Sequence, residues 1–212
     1  MPAKLTRKTI GEEALSTPID DQCSDSVLVE RVRQGDRAAF GQLVRQYEKR
    51  LLRTIYRIVG NSETTEDLTQ EAFLKAYDRL ESFDNSKRFG PWLFQIGVNG
   101  AIDWLRKHRK HPMVGLGDLA TRDSNFDVPD ADPRPAADLA QEVQHVLDQV
   151  PHDYRTVLVM RDLQGFACSE VASMIGRREP TVRWRLLKAR QMFRSIWEKR
   201  EAKGDEEKKS SV

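Results

Sequence analysis

The chain of 212 residues is 39% hydrophobic and 32% charged, with a formal net charge of +2, the profile of a soluble protein with a highly charged surface. No segment approaches the ~18 consecutive apolar residues of a membrane span, and no apolar stretch follows the basic residues near the N-terminus; neither membrane insertion nor a secretory signal is expected, and the protein is placed in the cytoplasm. Cys23 and Cys168 have no Cys or His at zinc spacing beside them, which predicts two free thiols, no metal site and no cofactor.

Residues 1–24 are polar and interrupted by Gly11 and Pro18, a composition that predicts a disordered extension. Four helices are expected across 25–110. Ser24 or Asp25 can cap the first, which runs to Gln34 before Gly35-Asp36 breaks the chain. The second places Phe40, Leu43, Val44, Tyr47, Leu51, Ile55, Ile58 and Val59 at helical spacing and stops at Gly60-Asn61-Ser62. The third starts near Thr64, with Asp67 at capping-box distance, and turns Leu68, Ala72, Phe73, Ala76, Tyr77 and Leu80 inward. The fourth starts near Pro91 and carries Trp92, Leu93, Ile96, Gly100 and Trp104. Residues 111–137 hold Pro112, Gly115, Gly117, Pro129, Pro133 and Pro135, which predicts a flexible linker. The pattern over 138–198 is helical again, with a first helix starting near Ala136 and ending at Gln149. Pro151 opens the next helix, which should bury Val157, Leu158 and Leu163; a short helix, a glycine turn and a long basic helix follow. Residues 199–212 form a charged tail that extends the last helix before fraying. The fold class is therefore all-α: two small helical domains joined by a flexible linker.

The small net charge hides an uneven distribution. Trp104 to His111 reads WLRKHRKH, with four Lys/Arg and no acid, and Arg177 to Arg194 carries six Arg and one Lys against Glu179 alone. A single basic run is ordinarily a solvated helix face. Two such blocks, one per domain and both interleaved with Trp, favour nucleic acid. The second lies in FACSEVASMIGRREPTVRWRLLKARQMF, which has the makings of a helix-turn-helix. Val171, Ala172 and Ile175 give the first helix an apolar face, and Gly176 supplies the left-handed conformation that ends it. Val182, Leu186 and Ala189 form the buried stripe of the second, leaving Arg183, Trp184, Leu187 and Lys188 outside. Arginine both reads guanine and clamps phosphate.

Gly35-Asp36, Ala39-Phe40, Tyr47, Asp67-Leu68, Gln70-Glu71-Ala72-Phe73, Tyr77, Phe89, Trp92-Leu93, Ile96, Asn99 and Leu105 occur in that order. Together with YRTVLVMRDLQGFACSEVASMIG and TVRWRLLKAR, this set resembles the extracytoplasmic-function group of the bacterial sigma-70 family from about Asp25 to Arg194. The resemblance implies a protein that joins core RNA polymerase, directs it to promoters and helps melt them. The domain at 25–110 would recognise the −10 element and that at 138–198 the −35 element, and an anti-sigma protein usually restrains such factors. It implies no catalytic residues. The −35 duplex would meet Arg177, Arg178, Thr181, Arg183, Trp184, Leu187 and Lys188. The −10 DNA, melted to single strand, would meet Asn99, Asp103, Arg106, Lys107 and Arg109, with the Ser82–Arg88 loop available to hold a flipped base. Asp67, Gln70, Glu71 and Leu74, at i, i+3, i+4 and i+7, share one helix face, which by resemblance faces the clamp helices of the largest polymerase subunit. No GxxxxGK[ST] motif is present, so melting must draw on binding energy.

Three positions depart from the family pattern: Ala167 where Ser usually caps the short helix, Pro180 where Gly is usual, and Trp184 where a small polar residue is common. They put the −35 preference in doubt and leave the fold intact. Two other readings compete. A helix-turn-helix regulator acting without polymerase explains the second domain and leaves the first unexplained. A helical metal-carboxylate enzyme finds one Glu-x-x-His, Glu142 to His145, where such a site needs two copies.

Overall fold

The computed structural model describes residues 20–110 and 135–210, with side chains over 25–108 and 139–202. Among these residues all regular structure is helical: α1 (Asp20–Arg33), α2 (Arg37–Val59), α3 (Ser62–Asp78), a 3₁₀ turn (Leu80–Ser82), α4 (Phe89–Lys110), α5 (Pro135–Gln149), α6 (His152–Leu158) continuing as a π-helical turn (Val159–Leu163), α7 (Cys168–Met174) and α8 (Glu179–Ser210). The extension before residue 20 and nearly all of the expected linker lie outside the described residues, as does the side chain of Cys23.

Helix α2 organises the first half. Asp36 caps it, its carboxylate accepting from the N–H groups of Ala38 and Ala39 at 3.0 and 3.2 Å. Arg31 also donates to this carboxylate, at 2.7 Å, and that bond holds the Asp36 carboxyl below its ordinary pKa. Ala39, Leu43, Leu51, Ile55 and Ile58 form a fully buried stripe against α1, α3 and α4. Gly60 ends the helix at φ 80°, its N–H bonded to the Tyr56 carbonyl. A Cβ on Gly60 would meet Asp148 Oδ1 at 2.9 Å, so the C-terminus of α2 is pressed directly against α5.

The expected helix boundaries need three corrections, one of them the start of α4 at Phe89 rather than near Pro91. Helix α1 begins at Asp20 rather than at a Ser24 or Asp25 cap. The Asp25 carboxylate is buried and accepts the Tyr47 hydroxyl at 2.5 Å; tertiary contact has taken the group that capping would have used. Helix α3 begins at Ser62, two residues early, because Asn61 is its cap, with Oδ1 accepting from Thr64 N–H at 2.8 Å. Two side chains also point differently from expectation. Leu163 is exposed: the wider π turn changes the phase, so the buried run is Val157 to Met160. Tyr77 is exposed, with its ring edge-on to Phe40 at 4.9 Å.

The two halves share one continuous core. Phe94 and Val98 on α4 are fully buried, and Phe94 meets Phe166, just before α7, at 5.3 Å between ring centres. The Arg50 guanidinium lies over both rings at 5.2 and 5.7 Å. It donates to Gln164 Oε1 at 2.9 Å and to the Gln164 carbonyl at 2.8 Å. Within the second half, Arg155 pairs with Asp148 at 2.9 Å, both side chains being buried. Gln144 donates to the same carboxylate oxygen at 3.1 Å.

Candidate nucleic-acid interface

Helix α7 ends in a Schellman closure. Gly176 sits at φ 61°, Arg177 N–H donates to the Ala172 carbonyl at 2.9 Å, and Gly176 N–H to the Ser173 carbonyl at 3.4 Å. At the other end of α7, Ala167 has no side-chain acceptor. Glu170 supplies the remaining half of a cap, its carboxylate accepting from Ala167 N–H at 2.8 Å. Val171 and Ala172 are buried, as are Val182, Leu186 and Ala189 of α8, so α8 lies against α6 and α7 with its inner stripe occupied.

The outer face of this helix-turn-helix gathers the expected −35 residues. Arg177, Arg178, Arg183, Trp184 and Leu187 are exposed, while Thr181 and Lys188 are half-buried. Trp184 retains 52% and Leu187 55% of their surface. Arg183 donates through Nε and Nη2 to Glu179 Oε1 at 2.9 and 2.6 Å, and this bond raises the guanidinium pKa above its ordinary value. Exposed pairs of this kind are weak, so the Glu179 carboxylate does little to hold the Arg183 guanidinium in place. Arg190 is different in use: its two bonds to Asp162, at 2.8 and 2.6 Å, tie α8 to the π turn. Arg185 similarly meets Asp153 at 3.6 Å. The basic block is thus divided between outward-facing and structural arginines.

Helix α4 presents a second polar face. Asn99, Asp103 and Arg106 follow at i, i+4 and i+7, with Lys107 adjacent; Asn99 is half-buried and the other three are exposed. Arg106 and Asp103 are paired at 2.6 Å. The Arg109 side chain lies outside the described residues. The nearby loop is anchored at its base. Arg33 donates to the carbonyls of Leu80, Glu81 and Phe83, and Asn85 Nδ2 to that of Ser26 at 3.1 Å. Asp84 accepts from the Ser86 hydroxyl and N–H, which lowers its carboxyl pKa. The tip at Ser86, Lys87 and Arg88 is exposed. Trp92 packs against Phe83 and Phe89, and Trp104 stacks on His108; both indoles line the fold.

A third face lies on α3, where Asp67, Gln70, Glu71 and Leu74 are all exposed. Leu74 keeps 66% of its surface, and Glu71 pairs with Lys75 at 2.7 Å. Tyr77, three residues beyond Leu74, adds an aromatic edge that inward-facing periodicity had assigned to the core. The Glu142 and His145 side chains are exposed on α5, and no cluster of three or more potential metal ligands occurs among the described residues. Among the same residues no helix is long and apolar enough to cross a membrane.

A helix-turn-helix with a basic outer face, carried beside a second helical unit with its own polar and acidic faces, defines a DNA-binding transcription factor of two parts. Family comparison agrees: residues 43–111 match Sigma-70 region 2 and residues 140–193 match Sigma-70 region 4. The ECF RNA polymerase sigma-E factor of Haemophilus influenzae is 33% identical over 181 residues, covering 82% of this chain and 95% of that protein. The RNA polymerase sigma-H factor of Pseudomonas aeruginosa is 32% identical over 179 residues, covering 80% and 92%. Among solved structures, CnrH in complex with the cytosolic domain of CnrY superposes with a TM-score of 0.62 at 25% identity, over 82% of this chain and 97% of that one. The sigma factor RpoE of Bartonella quintana, solved with the anti-sigma factor NepR, shares the fold at a TM-score of 0.60 and 21% identity, over 75% and 96%. The chain belongs to the extracytoplasmic-function sigma factors of the sigma-70 family. Its function is to direct RNA polymerase to promoters.

Proposed function

We propose that the three exposed faces divide this task. The α8 face, with Arg177, Arg178, Thr181, Arg183, Trp184, Leu187 and Lys188, reads the −35 duplex. Asn99, Asp103, Arg106, Lys107 and Arg109 hold the −10 strand as it melts, the cationic members on phosphate and Asn99 on a base edge. Asp67, Gln70, Glu71 and Leu74 meet core polymerase. Residues 25–110 and 138–198 act as separate functional units, and 111–137 spans the distance between the two promoter elements. The protein works in the cytoplasm as an initiation factor that catalyses no reaction itself, under control of an anti-sigma partner. A protein partner is supported by the likeness to CnrH, which was solved in complex with the cytosolic domain of CnrY.

The observation that carries this reading is the exposed α3 face, where Leu74 keeps 66% of its surface beside the exposed Asp67, Gln70 and Glu71. The test is reconstitution with core polymerase and run-off transcription from selected promoter fragments. Glu71→Lys lowers polymerase affinity at least tenfold while isolated DNA contacts are unaffected. Arg183→Ala weakens −35 recognition roughly 5- to 150-fold. Normal polymerase binding by Glu71→Lys, or unchanged promoter selectivity of Arg183→Ala, overturns the corresponding assignment.

A further inference from the structure

Trp184 and Leu187 are exposed at i and i+3 on the outer face of α8, so their side chains are neighbours. The helix has no need of them for packing, since Val182, Leu186 and Ala189 already fill its inner stripe. The Trp184 indole is nevertheless held: the half-buried Tyr154 ring on α6 lies 6.0 Å away, inclined at 52°. Arg183 and Lys188 flank the pair in sequence. The result is an apolar patch with one hydrogen-bond donor, the indole Nε1–H, set within a cationic surface.

The major groove offers one apolar group, the 5-methyl of thymine, and beside it the thymine O4 acceptor. Cytosine places a donor, the N4 amino group, where thymine has O4, and has no methyl. An indole with an apolar face and an N–H therefore fits thymine on both counts and opposes cytosine on both. We infer that Trp184, with Leu187 beside it, is a specificity-determining residue that reads thymine in the −35 element through its methyl group and O4. Tyr154 acts as a positioning residue that restricts the indole's rotamers. This inference rests on the assignment of α8 as the −35 reader and adds the base it selects.

The test uses the full chain with core polymerase. Holoenzyme first selects fragments from a promoter library randomised across the −35 element. Each selected thymine is then replaced singly by deoxyuridine, which removes the methyl group and leaves O4 and base pairing intact. At one position the wild-type complex loses about fourfold in affinity, the effect of withdrawing one buried methyl. Trp184→Ala shows no loss there and admits cytosine. Trp184→Phe keeps methyl sensitivity and loses only the part of the discrimination against cytosine that comes from O4. Tyr154→Leu weakens both effects without abolishing binding. Because deoxyuridine alters only the DNA, the result does not depend on a variant folding. Selection without thymine enrichment, or wild-type indifference to deoxyuridine at every −35 thymine, overturns the thymine inference. If Arg183→Ala then still disrupts selection, the −35 assignment of α8 stands. If neither Arg183→Ala nor Trp184→Ala changes the selected sequence, the −35 assignment itself fails.

Discussion

Replacing Arg50 by Ala removes a polar group that links the two halves of the protein. Its guanidinium gives two hydrogen bonds to Gln164 and lies over Phe94 and Phe166. Hydrogen bonds from a charged donor contribute ~1.5–3 kcal/mol each, and each ring contact ~0.5–1 kcal/mol at a partly exposed site. Against this, Gln164 is half-buried and regains water, and the long side chain no longer loses up to ~2 kcal/mol of rotamer entropy. The net loss is ~2–3 kcal/mol, a factor of roughly 30 to 150 in the balance between closed and separated halves. Energy transfer between fluorophores on exposed positions of α3 and α8, followed through a urea titration, reads this directly. The variant separates at lower urea than the wild type, while helix content measured by circular dichroism is unchanged at zero denaturant. Arg50→Lys recovers charge without the planar fork and falls between the two. Coincident separation curves for Arg50→Ala and wild type would refute the argument that this contact holds the halves together.

Arg155→Ala leaves the Asp148 carboxylate buried with one of its donors gone, so global stability falls by ~3–5 kcal/mol in chemical denaturation; a loss under about 1 kcal/mol contradicts the burial argument. The depressed pKa of Asp36 has a definite sign. Its unfolded value is near 3.9, so its contribution is fully present above that pH and disappears as pH falls through the lower folded value. Asp36→Asn, which keeps a capping oxygen and removes the negative charge that pairs with Arg31, should therefore be less stable than wild type at neutral pH and converge with it in acid. A constant difference across an acid titration would exclude the Arg31 contact as the cause.

Local chemistry made most of the elements legible. Gly60 and Gly176 ended helices as their sequence positions suggested, and the i, i+4, i+7 spacing of Val182, Leu186 and Ala189 separated the inner stripe of α8 from its outer face. What the sequence concealed was tertiary. Asp25 has the chemistry of a cap, but its carboxylate accepts from the Tyr47 hydroxyl, 22 residues away, a contact that no local pattern announces. The π turn at Val159–Leu163 has no composition mark, so Leu163 followed an ideal helical phase to the wrong side. The seam around Arg50 did leave a sign: Trp92, Leu93, Phe94, Ile96, Val98, Ala101 and Ile102 make α4 apolar over most of its circumference. A helix of that kind is covered on more than one side, by α2 and α3 within its own half and by α7 from the other.

The exposed apolar pairs also bear on how the chain behaves before it meets any partner. Leu74 with Tyr77, and Trp184 with Leu187, leave two adhesive patches on the free protein. Each is guarded by charge, Glu71 and Lys75 around the first and Arg183 and Lys188 around the second, as gatekeeper residues flank aggregation-prone segments elsewhere. Colloidal stability of the free factor thus depends on charges that lie on or beside the proposed binding faces. Salt screens those guards within a Debye length of ~8 Å at physiological ionic strength and strengthens the apolar attraction when the anion is sulfate or phosphate. Self-association of the purified chain should accordingly rise with salt, the opposite of the trend for its hold on DNA.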